Sequence, residues 1–461
     1  MKSRGMVLTL MVAFFFLCGL WGAGTLQAED VQSVEEEVLR ILRDKGTITA
    51  EKYEELKKRV EEEKAQEAKR PVVLLKRGFS LATPDGDFKL QPYIKLRGQF
   101  KAFEANHHGK SNDFYMRHAR VGLKGTVYKY YDFNISGEFG KGNSDLWDGY
   151  MGFNYLPEAK IRIGQFKAPF SLEWYSSADW RDFIEMPLPI DNLTPDRDIG
   201  AMIHGDIAKG ILNYGLAICN GSGKNTSDTN DDKDVVARVV LSPFAGSENT
   251  LLKGLHFGGG ISHGREETKR DEMRRKGRFQ TAGETKFFQL KEDVFHDGER
   301  TRYGAELCYM VGPFSLKGEW VRTNLDDLYK KEGGPRDDFH VDGGYVSVSY
   351  VVTGESQPFT DGRYGMIKPK SSFDPRKGAW GALQLVARYE NLSIDDDLLK
   401  KGYATGTDEA EGFTIGANWY LNDAVRLMLN YNRTEFDDNI KVGGKRIDNE
   451  DIILGRVQFV F

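Results

Sequence analysis

Lys95, Arg97 and Lys101 take alternate places in the stretch "IKLRGQFK", with Leu96, Gly98 and Phe100 between them. On an extended chain successive side chains point to opposite faces, so this stretch presents one cationic face and one apolar face. His118, Arg120 and Lys124 repeat the pattern in "HARVGLK", and Arg162, Arg238, Arg388, Arg426 and Arg456 recur among alternating apolar residues further on. Guanidinium and ammonium groups around a narrow passage attract anions, and weak contacts in series let an anion both enter and leave. A second basic run, "KRDEMRRKGRF", aligns Arg270, Arg274, Lys276 and Arg278 if it is extended. Such a ladder could hand a phosphate along; exposed, the same loop would meet the phosphates of lipopolysaccharide.

Cations held in this way need a scaffold with polar side chains inside and apolar ones outside. From about residue 90 the apolar period is two, as in "YYDFNISGEF", "GFTIGANWYL" and "VRLMLNYN". About sixteen such segments of roughly ten residues fit tilted strands that cross a bilayer. Short links ("LPEA", "IAKG", "VGPF", "LND") alternate with long polar ones at 167–198, 220–233, 262–301, 323–342, 391–411 and 434–450. Short and long links at opposite ends mark an outer-membrane barrel. One link, 353–378, is long on the short side. The expected fold is therefore all-β, a 16-stranded antiparallel transmembrane β-barrel. Trp147, Tyr155, Trp320, Trp380, Trp419 and Tyr420 are expected in its interfacial girdles.

With the apolar set turned to lipid, closure of strand 16 on strand 1 makes strands 15, 16, 1 and 2 one basic wall. The lumenal acids Asp132, Glu138, Asp148, Glu306, Glu319 and Glu390 fall mostly elsewhere. The long link "QFKAPFSLEWYSSADWRDFIEMPLPIDNLTPDRDIG" is rich in aromatics and prolines. It suits a loop folded into the pore, where Lys167 and Arg181 would help line a constriction.

The chain has 461 residues and a formal net charge of −5, with a pI near 6 and a mean hydropathy of −0.51. These values exclude a bundle of membrane helices and give no case for nucleic acid as a partner. Residues 1–28, a basic start followed by an apolar run and "TLQA", suit a secretory signal peptide; the run is also long enough for an uncleaved anchor. Residues 29–75 hold two amphipathic helices broken near Gly46, a periplasmic, coiled-coil-like segment, and the barrel would occupy 76–461. Cys219 and Cys308 are expected as free buried thiols. The eight scattered histidines, without HExxH or GxSxG, argue against an enzyme, and no metal or cofactor is called for.

Over residues 90–461 the chain resembles the phosphate-selective porin family. The resemblance rests on "MRHARVGLKGT", "GQFKAPFSLEW", "MVGPFSLKGEW", "YVSVSYVVTGES", "GAWGALQLVARYENL", "GANWYLNDAVRLMLNY" and "RVQFVF". It implies a homotrimer in the outer membrane of a Gram-negative bacterium, an inward third loop, an arginine ladder and a basic constriction for phosphate-like anions. Arg270, Arg274, Lys276 and Arg278 fall on the ladder segment. Family members often carry two adjacent arginines where this chain has Arg117 and His118. Arg120 falls at an aromatic position of the family, and Ala178 replaces a third-loop lysine. Strict alternation, in contrast, turns Arg117 towards lipid.

Overall fold

The structure, a computed structural model, describes residues 38–67, 71–74, 79–104, 110–142, 144–228, 230–268, 277–330 and 333–461. The expected signal peptide and ladder residues Arg270, Arg274 and Lys276 lie outside the described residues. The chain divides into two units, one ending at Pro71 and the other running Val72–Phe461.

In the first unit residues 38–44 are helical, and a second helix, α1, spans Ala50–Glu67. Between them Gly46 takes a φ of +70°, which ends the first helix. Thr49 then caps α1, its Oγ1 accepting from the Lys52 amide at 3.2 Å. Val38 and Ile41 are exposed. The apolar stripe read from the sequence is thus present, while a coiled-coil pairing is not shown.

The second unit is built on sixteen antiparallel strands. The first four are β1 Phe88–Phe103, β2 Asp113–Val127, β3 Tyr131–Glu138 and β4 Asp145–Leu156. Next come β5 Ala159–Lys167, β6 Arg197–Ile207, β7 Leu212–Cys219 and β8 Asp234–Leu241. They are followed by β9 Leu255–Thr268, β10 Phe295–Val311, β11 Phe314–Tyr329 and β12 Asp337–Val351. The last are β13 Ala382–Ile394, β14 Glu409–Tyr420, β15 Val425–Val442 and β16 Lys445–Val460. Each strand pairs with the next, and β16 pairs with β1 from Ile452↔Phe103 to Val460↔Lys95, so the sheet closes. The final residue joins the seam, since Phe461 and Ile94 exchange backbone hydrogen bonds of 2.7 and 2.9 Å.

Apolar side chains point outwards and charged ones inwards, the inverse of a water-soluble protein. Phe114 on the outer face is 79% exposed, whereas Arg97 on the inner face is 2% exposed. Facing lipid, an Arg at the midplane of such a wall would cost about 2–4 kcal/mol, which explains the strict outer alternation. At the short-turn end, Trp419 donates its indole N–H to the Trp380 carbonyl at 2.7 Å, and Tyr130 stacks on Tyr155. These rings form the expected girdle. Two of its expected members are elsewhere: Tyr420 is buried in the lumen against Gln384, and Trp147 also faces inwards.

Trp147 turns inwards because of a bulge. The β3–β4 register passes from Ser136↔Asp148 to Gly137↔Leu146 and skips Trp147. A second bulge on β2 skips Arg117, the register passing from Arg97↔His118 to Gly98↔Met116. One extra residue shifts the alternation by one, so Arg117 and His118 both reach the lumen. This corrects the lipid-facing placement of Arg117.

Several strands run beyond the ends legible in the sequence. β15 and β16 are joined by Gly443 and Gly444 alone, both with positive φ, so 434–450 is a projecting hairpin rather than a loop. The third loop, residues 168–196, does fold inwards, carrying short helices Leu172–Tyr175 (α2) and Leu188–Leu193 (α3). Its entry lies flush on Gly260 and Gly304, paired across β9 and β10, where a Cβ on Gly260 would meet the Phe170 carbonyl at 2.3 Å.

The exceptional link, residues 352–381 at the short-turn end, also turns into the barrel. Its small hairpin, Phe359–Thr360 with Arg363–Tyr364, buries Tyr364 completely. The Tyr364 hydroxyl donates to Glu173 of the third loop at 2.6 Å, and Arg238 donates to the Gly362 carbonyl at 2.8 Å. Its length is explained by this second inward excursion.

Candidate functional site

The basic wall exists as the alternation requires. Gln458 lies opposite Arg97, Arg97 opposite His118, and Lys95 opposite Arg120, while Arg456 and Arg426 come from β16 and β15. The charges opposing it, however, arrive from the third loop. Asp179 takes Arg97 at 2.5 Å and Lys95 at 2.6 Å. Glu185 takes Arg117 and Arg456 at 3.3 Å each and accepts from Gln99 at 2.8 Å. Asp182 reaches across to Lys317 at 2.6 Å. Burial opposes the ionised form of both wall-facing acids, yet their cations prevail. Lys95 and Arg97 hold the Asp179 carboxyl well below the usual range, and Arg117 and Arg456 bring Glu185 down to about 2.

The wall also holds the loop backbone. Glu319 accepts from the Leu172 and Glu173 amides, and Glu390 accepts from the Leu188 amide, all at 2.8 Å. Arg388 donates to the Glu185 carbonyl at 3.1 Å, Arg426 to the Arg181 carbonyl at 2.9 Å, and Gln458 Nε2 to the Asp179 carbonyl at 3.0 Å. The loop therefore lies along the inside of β11, β13, β15, β16, β1 and β2. Arg388, Arg426 and Arg456, expected as pore-lining cations, are engaged by it.

Most remaining lumenal cations are also paired. Arg120 and His118 share Glu138 at 3.0 and 2.9 Å. Arg238 meets Glu306 at 2.6 Å, and Lys101 meets Glu284 at 3.1 Å. Arg278 is exposed and belongs to a small three-stranded sheet beyond the barrel, facing Gln289. Trp147, the bulged residue of β4, has the charged groups of Arg120, Arg197 and Lys224 each 4.4 Å from its ring centre. Stacking on an aromatic face stabilises a cation without neutralising it. Arg197 is also tied to Asp148 at 2.9 Å.

Besides Arg278 and Arg426, three expected site residues meet no carboxylate within ion-pair distance among the described residues: Lys124, Arg162 and Lys167. Arg162 stacks on Tyr150 at 4.2 Å. Lys167 donates to the Trp174 and Ser176 carbonyls at 2.6 and 2.8 Å. Lys124 is exposed to the lumen. They stand on β2 and β5; the third loop covers Lys167, and Lys124 and Arg162 make no hydrogen bond to it. Sequence reasoning missed the loop acids and Trp147. The acids did leave a signal, a spacing of three at Asp179, Asp182 and Glu185 in "SSADWRDFIE".

Residues 94–461 match the family described as Phosphate-selective porin O and P. The chain belongs to that family. Among its relatives, Porin O of Pseudomonas aeruginosa is 25% identical over 435 residues, covering 85% of this chain and 92% of that protein. Similar solved structures include OmpT of Vibrio cholerae in its trimer form (TM-score 0.52, 13% identity, covering 81% of this chain and 99% of that one). Another is an anion-selective porin from Comamonas acidovorans (TM-score 0.51, 11% identity, covering 81% and 100%). Likeness at this identity speaks for the fold. The porin is thus an outer-membrane β-barrel of a Gram-negative bacterium, a channel by family and architecture.

Proposed function

We propose that this porin passes small anions, phosphate among them, by passive diffusion along the β2–β5 side of the lumen. The observation that carries this reading is the pair Lys124 and Arg162, cations without carboxylate partners beside the Arg120–Trp147–Arg197 stack. Uncompensated charge in a narrow, low-dielectric passage concentrates counter-ions, whereas paired charge contributes little. The family and the anion-selective porin of similar fold support it. His118 and Ala178 bear on how strongly phosphate is preferred over other anions, so the reading is an anion channel first. The compensated wall favours a second reading, a weakly selective general pore.

In planar bilayers the purified porin is expected to give reversal potentials favouring anions, with phosphate lowering the chloride current. Arg120→Ala, which leaves Glu138 without its arginine, should reduce the anion preference. Reversal potentials showing no preference, or one for cations, would select the second reading. We further propose that residues 1–28 are removed on export, that 29–75 lie in the periplasm, that the assembly is a homotrimer, and that exposed loops contact lipopolysaccharide.

A further inference from the structure

At the long-loop end, away from the wall-facing acids, a cavity of about 280 Å³ opens between the barrel and the two ends of the third loop. Leu193, Val236, Phe279, Phe288, Leu290 and Leu325 make much of its lining apolar. One side is different. Arg302 on β10 stands in register between Ser262 of β9 and Thr323 of β11, and both Arg302 and Thr323 line the cavity. Arg302 donates to Ser262 Oγ at 3.3 Å and meets no carboxylate within ion-pair distance among the described residues. Its Nε, the Thr323 hydroxyl, Arg300 Nε and His296 Nε2 are all buried without a hydrogen-bond partner.

Four acids line this end, each engaged by other groups; Asp196 accepts from the Arg197 amide at 2.6 Å. Asp234 and Glu266 both hold Arg300. Asp198 accepts from the amides of Ile199 and Gly221 at 2.7 and 2.8 Å. What remains is one guanidinium without an ion-pair partner among the described residues, an adjacent unpaired hydroxyl and a chamber with one apolar side. Buried donors left unpaired are costly, so such a site gains from an anion that satisfies them. A hydrated inorganic anion would satisfy the donors and waste the apolar wall. A group with a carboxylate head and a compact apolar body would use both.

We infer that this cavity binds small organic carboxylates, of aryl or short alkyl type, with the head group on Arg302 and Thr323. The cavity borders the proposed conducting side at Arg197, but its head-group residues Arg302 and Thr323 stand on β10 and β11, and binding there does not depend on the anion preference of the pore. Calorimetric titration of the detergent-solubilised full-length porin with benzoate should show saturable binding. Benzyl alcohol and inorganic phosphate should each displace benzoate at least about tenfold more weakly than unlabelled benzoate displaces a labelled one, the effect expected when a charge-assisted hydrogen bond or the apolar contact is lost. Arg302→Gln and Thr323→Val should weaken benzoate by a similar factor. Val341→Phe, which fills the chamber from β12, should abolish binding even if the arginine variant fails to fold. Arg120→Ala should leave benzoate binding unchanged. Absence of saturable binding overturns the inference. So does displacement of benzoate by benzyl alcohol or phosphate as readily as by benzoate itself, binding that survives Val341→Phe, or binding lost in Arg120→Ala but retained in Arg302→Gln.

Discussion

Asp179 holds two cations of β1 at once, and that changes what those cations can do. Lys95 and Arg97 are positive by composition, but the one carboxylate they share at 2.6 and 2.5 Å offsets one of their two charges. Asp179→Asn keeps the shape and removes one negative charge beside them. The expected result is a rise of roughly two- to threefold in the anion-to-cation permeability ratio, read from reversal potentials in a salt gradient. A ratio that stays put would mean that ions do not pass near β1. Which residues line the lumen was legible, because Lys95, Arg97, Arg120 and Arg456 each follow the period of two. Their pairing was not. The partners of Lys95, Arg97 and Arg456 lie some 80 to 270 positions away along the chain, and nothing local in "SSADW" names them.

At the scale of elements, the sixteen strands were readable and two bulges were not. A bulge is one additional residue, and it leaves composition and mean period unchanged. Arg117 and Trp147 were therefore assigned to the wrong face although their neighbours were assigned correctly. The third loop was legible as an inward element from its aromatics and prolines, and the second inward segment only as an irregular length. The seat of the third loop sets its acid tolerance. Glu185 titrates near 2 in the folded porin, below the ordinary glutamate range of about 4.3. A depressed carboxylate contributes stability above its unfolded pKa, and that contribution is lost as pH falls through the folded value. Acrylamide quenching of Trp174 and Trp180 in the loop should thus stay constant from pH 8 to pH 5. It should rise as the pH approaches about 2. Glu185→Gln should show raised quenching already at neutral pH.

At the scale of the whole molecule, the division between the helical unit and the barrel yields a separable test. Deleting residues 29–70 should leave single-channel conductance unchanged, since every lumenal residue described above follows Val72. If the helices pair between copies, the same deletion should lower the temperature at which oligomers dissociate on mild-detergent gels. Cys219 and Cys308 are both buried and free, so migration on those gels should be identical with and without reductant. The clasp of the third loop has a consequence for biogenesis. Glu185 binds Gln99 of β1, Arg117 of β2 and Arg456 of β16, which are the two ends of the sheet and the strand beside its start. Until the last strand docks on the first, that carboxylate lacks Arg456 and the loop lacks half its footing. Insertion intermediates should accordingly expose the loop to protease, and protection should appear only when the seam zips shut. A loop that narrows the finished channel also reports, from inside, that the cylinder is complete.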